Sequence, residues 1–516
     1  MRHNFSIQTL VSVLVVSAAA CSEGVEPPDI PEAQSLNLVI ANGRVIDPAT
    51  DLDAIRHIGV REGSIAVVSD HPLDAYLADD GELIDATGLV VSPGFIDLHA
   101  HGQSTQANEY QARDGVTTAL ELEGGGFGLP EWIEGRRGTA LIHYGASTSQ
   151  AYARALALLD INQRTELEAL IRESVIASTA QAEPFEDETE TVRSTFYKTL
   201  NADRYENLRG ALQVGLDEGG IGIGMAHQYT PGVNREEVFE VFQLAAELDV
   251  PIFTHVRSMS LDAMQEVVAN ASATGAPLHI VHVNSMSLGQ LPQVLELIAG
   301  ARNRGLDITT EAYPYTAGST SIESAIFDPG WQNHLGISYG DLQWEETGER
   351  LTQVTFEQYR EKGGTVIIHM MKDEWIDLAM ASPFVMVASD GMPYAPGAHP
   401  RSAGTFSRVL GRYVRERGVI DLPTAIAKMT YMPAKRLEEI APIMARKGRI
   451  QVGADADLTV FDPERVIDTA TFEEDLSFSI GIEHVFVLGT AVVKNGATVP
   501  DTYPGQPILG RFAAGS

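Results

Sequence analysis

Eight short apolar segments recur through the middle of the chain, separated by polar stretches, and no other feature restricts the possible folds as much. They span 94–99, 117–123, 140–146, 221–226, 251–256, 278–283, 307–313 and 384–389. Several of the intervening stretches have helical spacing, as in NREEVFEVFQLAAEL, where Asn234 is placed to cap the first turn. Parallel strands need crossover connections, and eight strand-plus-helix units close into a (β/α)8 barrel. The fold class is therefore α/β. Such a barrel takes about 250 residues. The chain has 516, so other elements must flank it.

Both ends supply them. LVIANGRVID carries Asn42-Gly43, a strong hairpin signal, and HIGVREGSIAVV turns at Glu62-Gly63. Near the C-terminus, GRIQVGADADLTVFD and HVFVLGTAVVKNG are again β-rich. The expected organisation is a small β domain assembled from 36–92 and 446–505 around a barrel at 93–445. An insertion near 314–364 is too long for an ordinary βα loop and is expected over the barrel mouth.

Residues 1–20 read as an export signal, with Arg2, an apolar run from Leu10 to Val16, and Ala18, Ala19 and Ala20 before Cys21. The Ala-Ala-Ala-Cys stretch resembles the lipobox of bacterial lipoproteins, with Ala18 where leucine is usual. That implies lipidation of Cys21 and a Pro- and Glu-containing tether over 21–35. The expected location is the periplasmic side, at the outer membrane in a Gram-negative host, with membrane contact only through the lipid. Cys21 is the only cysteine, so the folded part has neither disulfide nor thiolate ligand. Lys plus Arg number 36 against 70 Asp plus Glu, a formal charge of −34, which argues against a nucleic-acid partner. The oligomeric state is left open.

In a barrel of this kind the active site forms at the C-terminal ends of the strands. The first candidate strand runs into His99 and His101, the second ends at Glu121 and Glu123, the fifth at His255, the sixth at His282 and the eighth at Asp390. Imidazoles and carboxylates gathered there suit zinc or a similar divalent metal. His279 is out of phase with His282 and should face the helices.

The segments VVSPGFIDLHAHG, GVTTALELEGGG, FTHVRS, HIVHVNS, EAYPYTAGST, ASDG and HPRSAGTFSRVLGRYVRE resemble the amidohydrolase superfamily. More narrowly they resemble its N-acyl-D-amino-acid deacylase branch, and ALELEGG is similar to the D-glutamate deacylase subgroup. The resemblance implies a barrel with a β-sandwich built from both chain ends. It implies metal ligands at His99, His101, His255 and His282, with Asp390 as the catalytic aspartate beside the metal. The branch usually places a cysteine after the second strand; here Glu123 stands within about one position of it, with Glu121 deeper on the same face. Tyr313 matches a tyrosine that binds the scissile carbonyl, with Ser319 six residues on, and Arg401 matches an arginine for the substrate carboxylate. Asn284 stands where lysine is common, as a substrate hydrogen-bonding group, and Arg257 shares the face of His255. Tyr315 reads as a packed aromatic.

These residues suggest hydrolysis of an amide in an N-acyl-D-amino acid, with N-acyl-D-glutamate one candidate, by one or two divalent ions, zinc by resemblance. Asp390 would move the proton, Tyr313 would stabilise the oxyanion and Arg401 would pair with the α-carboxylate. D-residue dipeptides and cyclic amides or ureides are the alternative substrates for the same metal set. A lipoprotein that binds metal or solute without turnover is the non-enzymatic alternative; the acid/base residue Asp390 speaks against it.

Overall fold

The computed structural model describes residues 35–177 and 190–513. The expected signal segment, Cys21 and nearly all of the tether lie outside the described residues. No helix among the described residues is long and apolar enough to cross a membrane.

Eight parallel strands form one sheet in chain order: Phe95–Asp97, Val116–Gly126, His143–Ser149, Ile223–Ala226, Ile252–His255, Leu278–Ile280, Ile308–Ala312 and Val385–Val387. The first and last meet through backbone bonds, with His101 N and Gly102 N donating to Gly391 O at 2.8 and 3.1 Å, so the barrel closes. Each strand overlaps one of the eight apolar segments. These strands are buried on both faces, and between their apolar residues they carry buried polar ones such as Thr118, Ser147, Thr254 and Thr310. The helix Arg235–Leu248 shows why its segment folds as it does. The Asn234 side chain accepts from Glu237 N at 2.7 Å, and Val238, Val241, Phe242 and Ala245 face the core. The helix stops at Asp249, whose φ of 51° leaves the helical region.

A nine-stranded sheet joins the chain ends. Its first half comes from the strands between Leu36 and Pro93 and its second from those between Leu458 and Thr498. Val90–Pro93 pairs antiparallel with Leu458–Phe461, which stitches the halves together. A buried cluster ties this sheet to the barrel: Lys447 Nζ donates to Asp457 at 2.7 Å and Asp455 at 3.0 Å, and lies 2.9 Å from Nε2 of His143, the first residue of the third barrel strand.

Between the seventh and eighth barrel strands the chain builds a small antiparallel sheet from Ala317–Ser321, Leu342–Trp344 and Thr365–His369. Ile322, Phe327, Trp331, Trp344 and Phe356 give it its own apolar core. Ser319, Thr320, Ser321 and Ile368 of this insertion line the cavity at the barrel mouth.

Candidate metal centre and active site

Glu123 sits at the centre of the site, on the second barrel strand, which the fourth strand passes closely. A Cβ on Gly224, in the fourth strand, would come within 2.6 Å of Glu123 O, so glycine is required where that strand passes. From there its carboxylate reaches two sets of imidazoles. Oε2 lies 3.3 Å from Nε2 of both His99 and His101. Oε1 lies 2.7 Å from His255 Nδ1 and 3.1 Å from His282 Nε2.

Asp390 completes the first set. Its Oδ1 is 3.4 Å from His99 Nε2 and 3.3 Å from His101 Nε2, and those two nitrogens are 3.2 Å apart. Four donors bound at 2.0–2.1 Å in a tetrahedron would be about 3.3–3.4 Å from one another. His99, His101 and Glu123 therefore converge on a position that fits a divalent cation, with Asp390 Oδ1 at matching distances from both imidazoles, and His99, His282 and Asp390 converge as well. Glu123, His255 and His282 converge likewise on a second position, so the Glu123 carboxylate can bridge two ions. His282 has φ 31° and Asp390 φ 51°, in the left-handed region that few non-glycine residues adopt but Asp and His adopt more readily than most, and both turn their donors into the barrel.

The charges hold one another in place. Burial opposes protonation of His99, but Asp390 and Glu123 outweigh it and raise its pKa well above the usual range. Burial likewise disfavours ionised Asp390, yet Arg401 and His99 hold its carboxyl far below the ordinary value. Glu123 is lowered well below its usual range, with His99 and His255 overcoming burial. Carboxylates and imidazoles packed this tightly form a receptor for positive charge.

Other side chains fix the ligands. Glu121 is not among the converging donors; its Oε2 accepts from His101 Nδ1 at 2.5 Å and aims the ring. Glu311, in the seventh strand, does the same for His99, whose Nδ1 donates to Oε1 at 2.7 Å. Its second oxygen accepts from His279 Nε2 at 3.0 Å. His279 thus faces the barrel interior, not the helices as its phase with His282 suggested. The sixth strand ends at Ile280 and His282 is left-handed, so period-two alternation does not carry across those residues. Gln228 Oε1 lies 2.8 Å from His255 Nε2. Glu311 and Gln228 were missed in the sequence; an acid inside the otherwise uncharged run ITTEA was the available signal for Glu311.

The cavity beside these ligands has a volume of about 380 Å³. Tyr313, Ser319, Arg401 and Asp390 line it with His101, Glu123, His255 and His282. Burial pushes the Tyr313 hydroxyl up to about 12, against the pull of Arg401, so it stays a neutral donor. Arg401 is 1% exposed; Nη1 pairs with Asp390 Oδ2 at 2.7 Å and Nη2 donates to Ser319 O at 3.2 Å. Its Nε has no partner among the described residues. Two residues expected at the substrate do not line the cavity. Arg257 is turned into a two-pronged ion pair with Glu266, at 3.0 and 2.8 Å. Asn284 is fully buried and its Nδ2 donates to Tyr313 O at 3.0 Å, which supports the tyrosine from behind. Tyr315 is packed away, with its hydroxyl on Asp468 at 3.2 Å.

A closed parallel barrel with a carboxylate-bridged cation site at the C-terminal ends of its strands defines a metal-dependent hydrolase of the amidohydrolase class. A family profile described as "Amidohydrolase family" matches residues 82–499, and the chain belongs to that family. Within it, the chain falls in the branch of N-acyl-D-amino-acid deacylases and D-aminoacylases. It is 30% identical over 505 residues to the N-acyl-D-glutamate deacylase of Alcaligenes xylosoxydans xylosoxydans, covering 93% of this chain and 98% of that one. It is 29% identical over 493 residues to the D-aminoacylase of the same organism, covering 90% and 96%. Among solved structures it is similar to N-acyl-D-glutamate deacylase from Bordetella bronchiseptica complexed with zinc and a phosphonate inhibitor. That match has a TM-score of 0.75 and 25% identity, and covers 92% of this chain and 100% of the other.

Proposed function

We propose that this protein hydrolyses the amide bond of N-acyl-D-amino acids to a carboxylate and a free D-amino acid, with zinc as its metal. The observation that carries this is the bridging position of Glu123 between two imidazole sets, with Asp390, Tyr313 and Arg401 facing the same cavity. A divalent metal held there lowers the pKa of a bound water to about 7 and polarises the carbonyl. Asp390, whose Oδ1 faces the His99 and His101 imidazoles, would take the proton from the attacking water and later deliver it to the leaving nitrogen. Tyr313, kept neutral by burial, donates to the carbonyl oxygen as negative charge develops. Arg401 is held by Asp390 and Ser319 O, and its remaining N–H donors, Nε among them, are available to the substrate α-carboxylate, which would orient the amide toward the attacking water. Ser319, whose hydroxyl is buried without a partner among the described residues, is available to the same substrate.

The test is release of free amino acid from matched N-acetyl-D- and N-acetyl-L-amino acids by the metal-loaded chain, with a chelator control. Chelator-sensitive turnover of D forms alone is the expected result. Turnover of D-residue dipeptides or cyclic amides in its place would overturn the substrate class and leave the metal site standing.

The sequence before residue 35 supports export and a lipid anchor at Cys21. Metabolic labelling with a tagged fatty acid should mark the wild type and not Cys21→Ser; label-free wild-type protein recovered in the cytosol refutes the anchor.

A further inference from the structure

The deacylase reading leaves the amino-acid side chain open, because relatives of nearly equal identity carry different substrates in their names. The cavity wall bears on it. The wall runs between two apolar clusters, one including Phe127 and Phe196, the other Ile326 and Met370. The arginines that line it are Arg401 and Arg193, and each already faces a carboxylate: Arg401 on Asp390 at 2.7 Å, and Arg193 on Glu323 at 3.8 Å. Arg257 is committed to Glu266 outside the cavity, and Asn284 brings no charge.

Glu323 is built into the wall. Its Oε2 accepts from Ser321 Oγ at 2.8 Å and from Gly364 N at 2.9 Å, while Oε1 faces Arg193. Burial disfavours its charge, but the Gly364 and Ser321 bonds prevail and hold it ionised below the usual carboxylate range. A substrate whose α-carboxylate occupies Arg401 has no unengaged cation on this wall for a second carboxylate, and meets a fixed anion instead. Displacing the Glu323 carboxylate from the wall would break its bonds from the Ser321 hydroxyl and the Gly364 backbone N–H.

We propose that Glu323 is a specificity-determining residue, and that the site takes N-acyl-D-amino acids with a single carboxylate and an uncharged side chain while rejecting acidic side chains. This rests on the deacylase reading. A like charge at the wall acts against the wrong substrate without contributing to the right one.

The experiment compares kcat/KM of the metal-loaded enzyme for N-acetyl-D-leucine and N-acetyl-D-glutamate, in the wild type and in Glu323→Gln, Glu323→Asp and Arg193→Gln, with melting curves to establish that each variant folds. The wild type should favour leucine by about 100-fold, and Glu323→Gln should narrow that ratio by about tenfold. Glu323→Asp keeps the charge and should keep the discrimination, while Arg193→Gln, which removes the compensating cation, should widen it. Wild-type preference for D-glutamate, or an unchanged ratio in Glu323→Gln, overturns the proposal alone. Absence of turnover with every N-acyl-D-amino acid overturns the deacylase reading and this inference with it.

Discussion

Replacing Glu311 tests whether the metal site depends on support from beneath. Its two oxygens accept from His99 Nδ1 at 2.7 Å and His279 Nε2 at 3.0 Å, and the residue is 1% exposed. For His99 to offer Nε2 to a metal, its proton must sit on Nδ1, and Glu311 is the acceptor that keeps it there. In Glu311→Gln the amide oxygen can still accept from His99. Its NH2 then faces His279, which can respond by donating from Nδ1 to Thr309 Oγ1, 2.8 Å away. The fold survives that exchange, but the anionic charge behind His99 is lost. Metal affinity should fall by about 10- to 100-fold, the usual cost of removing such a partner. Glu311→Ala instead leaves two buried donors unpaired, at about 1–3 kcal/mol each, so the chelated protein should melt lower than Glu311→Gln. Competition of the stripped protein with a chromophoric chelator for zinc measures the affinity, and calorimetric melts measure the rest. Wild-type affinity in Glu311→Gln together with a wild-type melt for Glu311→Ala would refute the assignment of Glu311 as the residue that orients His99.

Asp390→Asn, compared at saturating metal, should lower kcat by about 10²–10⁴-fold; near-normal rates with metal bound would remove Asp390 from the proton path. Tyr313→Phe should cost about 10²–10³-fold in kcat with little change in KM, which steady-state kinetics on one N-acyl-D-amino acid can read. Lys447→Met removes the cation from buried Asp457 and leaves it the His143 ring, and should destabilise the protein by about 3–5 kcal/mol in the melt of the chelated form. The same cluster predicts acid lability. Burial opposes ionised Asp457, but Lys447 and His143 prevail and hold its pKa far below the ordinary value. A carboxyl depressed in the fold contributes stability above its unfolded pKa, so that stability is present above about pH 4 and drains away as the pH falls below it. An unchanged melting temperature from pH 6 to pH 3 would contradict this.

The eight barrel strands and the side chains that converge at their C-terminal ends were legible in the sequence because both are local. Each barrel strand holds a short apolar stretch, and residues near or just past its C-terminal end lie toward the barrel rim, so His99, His101, Glu123, His255, His282 and Asp390 could be named without knowing what they touch. The Asn234 cap and the β-rich chain ends were readable for the same reason. Local phase failed where local geometry failed: past Ile280 the chain leaves the strand, and His279 and His282 both face inward. What only the tertiary structure decided is how side chains far apart in the sequence divide the available charge. Barrel closure gives one oxygen of Glu123 to each imidazole set, puts Glu311 behind His99, sets Arg401 on Asp390, turns Arg257 out to Glu266 and brings Glu323 to Arg193. The residue type fixes which interactions a group can make. Which of them it does make depends on distances of a few ångströms that exist only once the barrel and its insertion have closed.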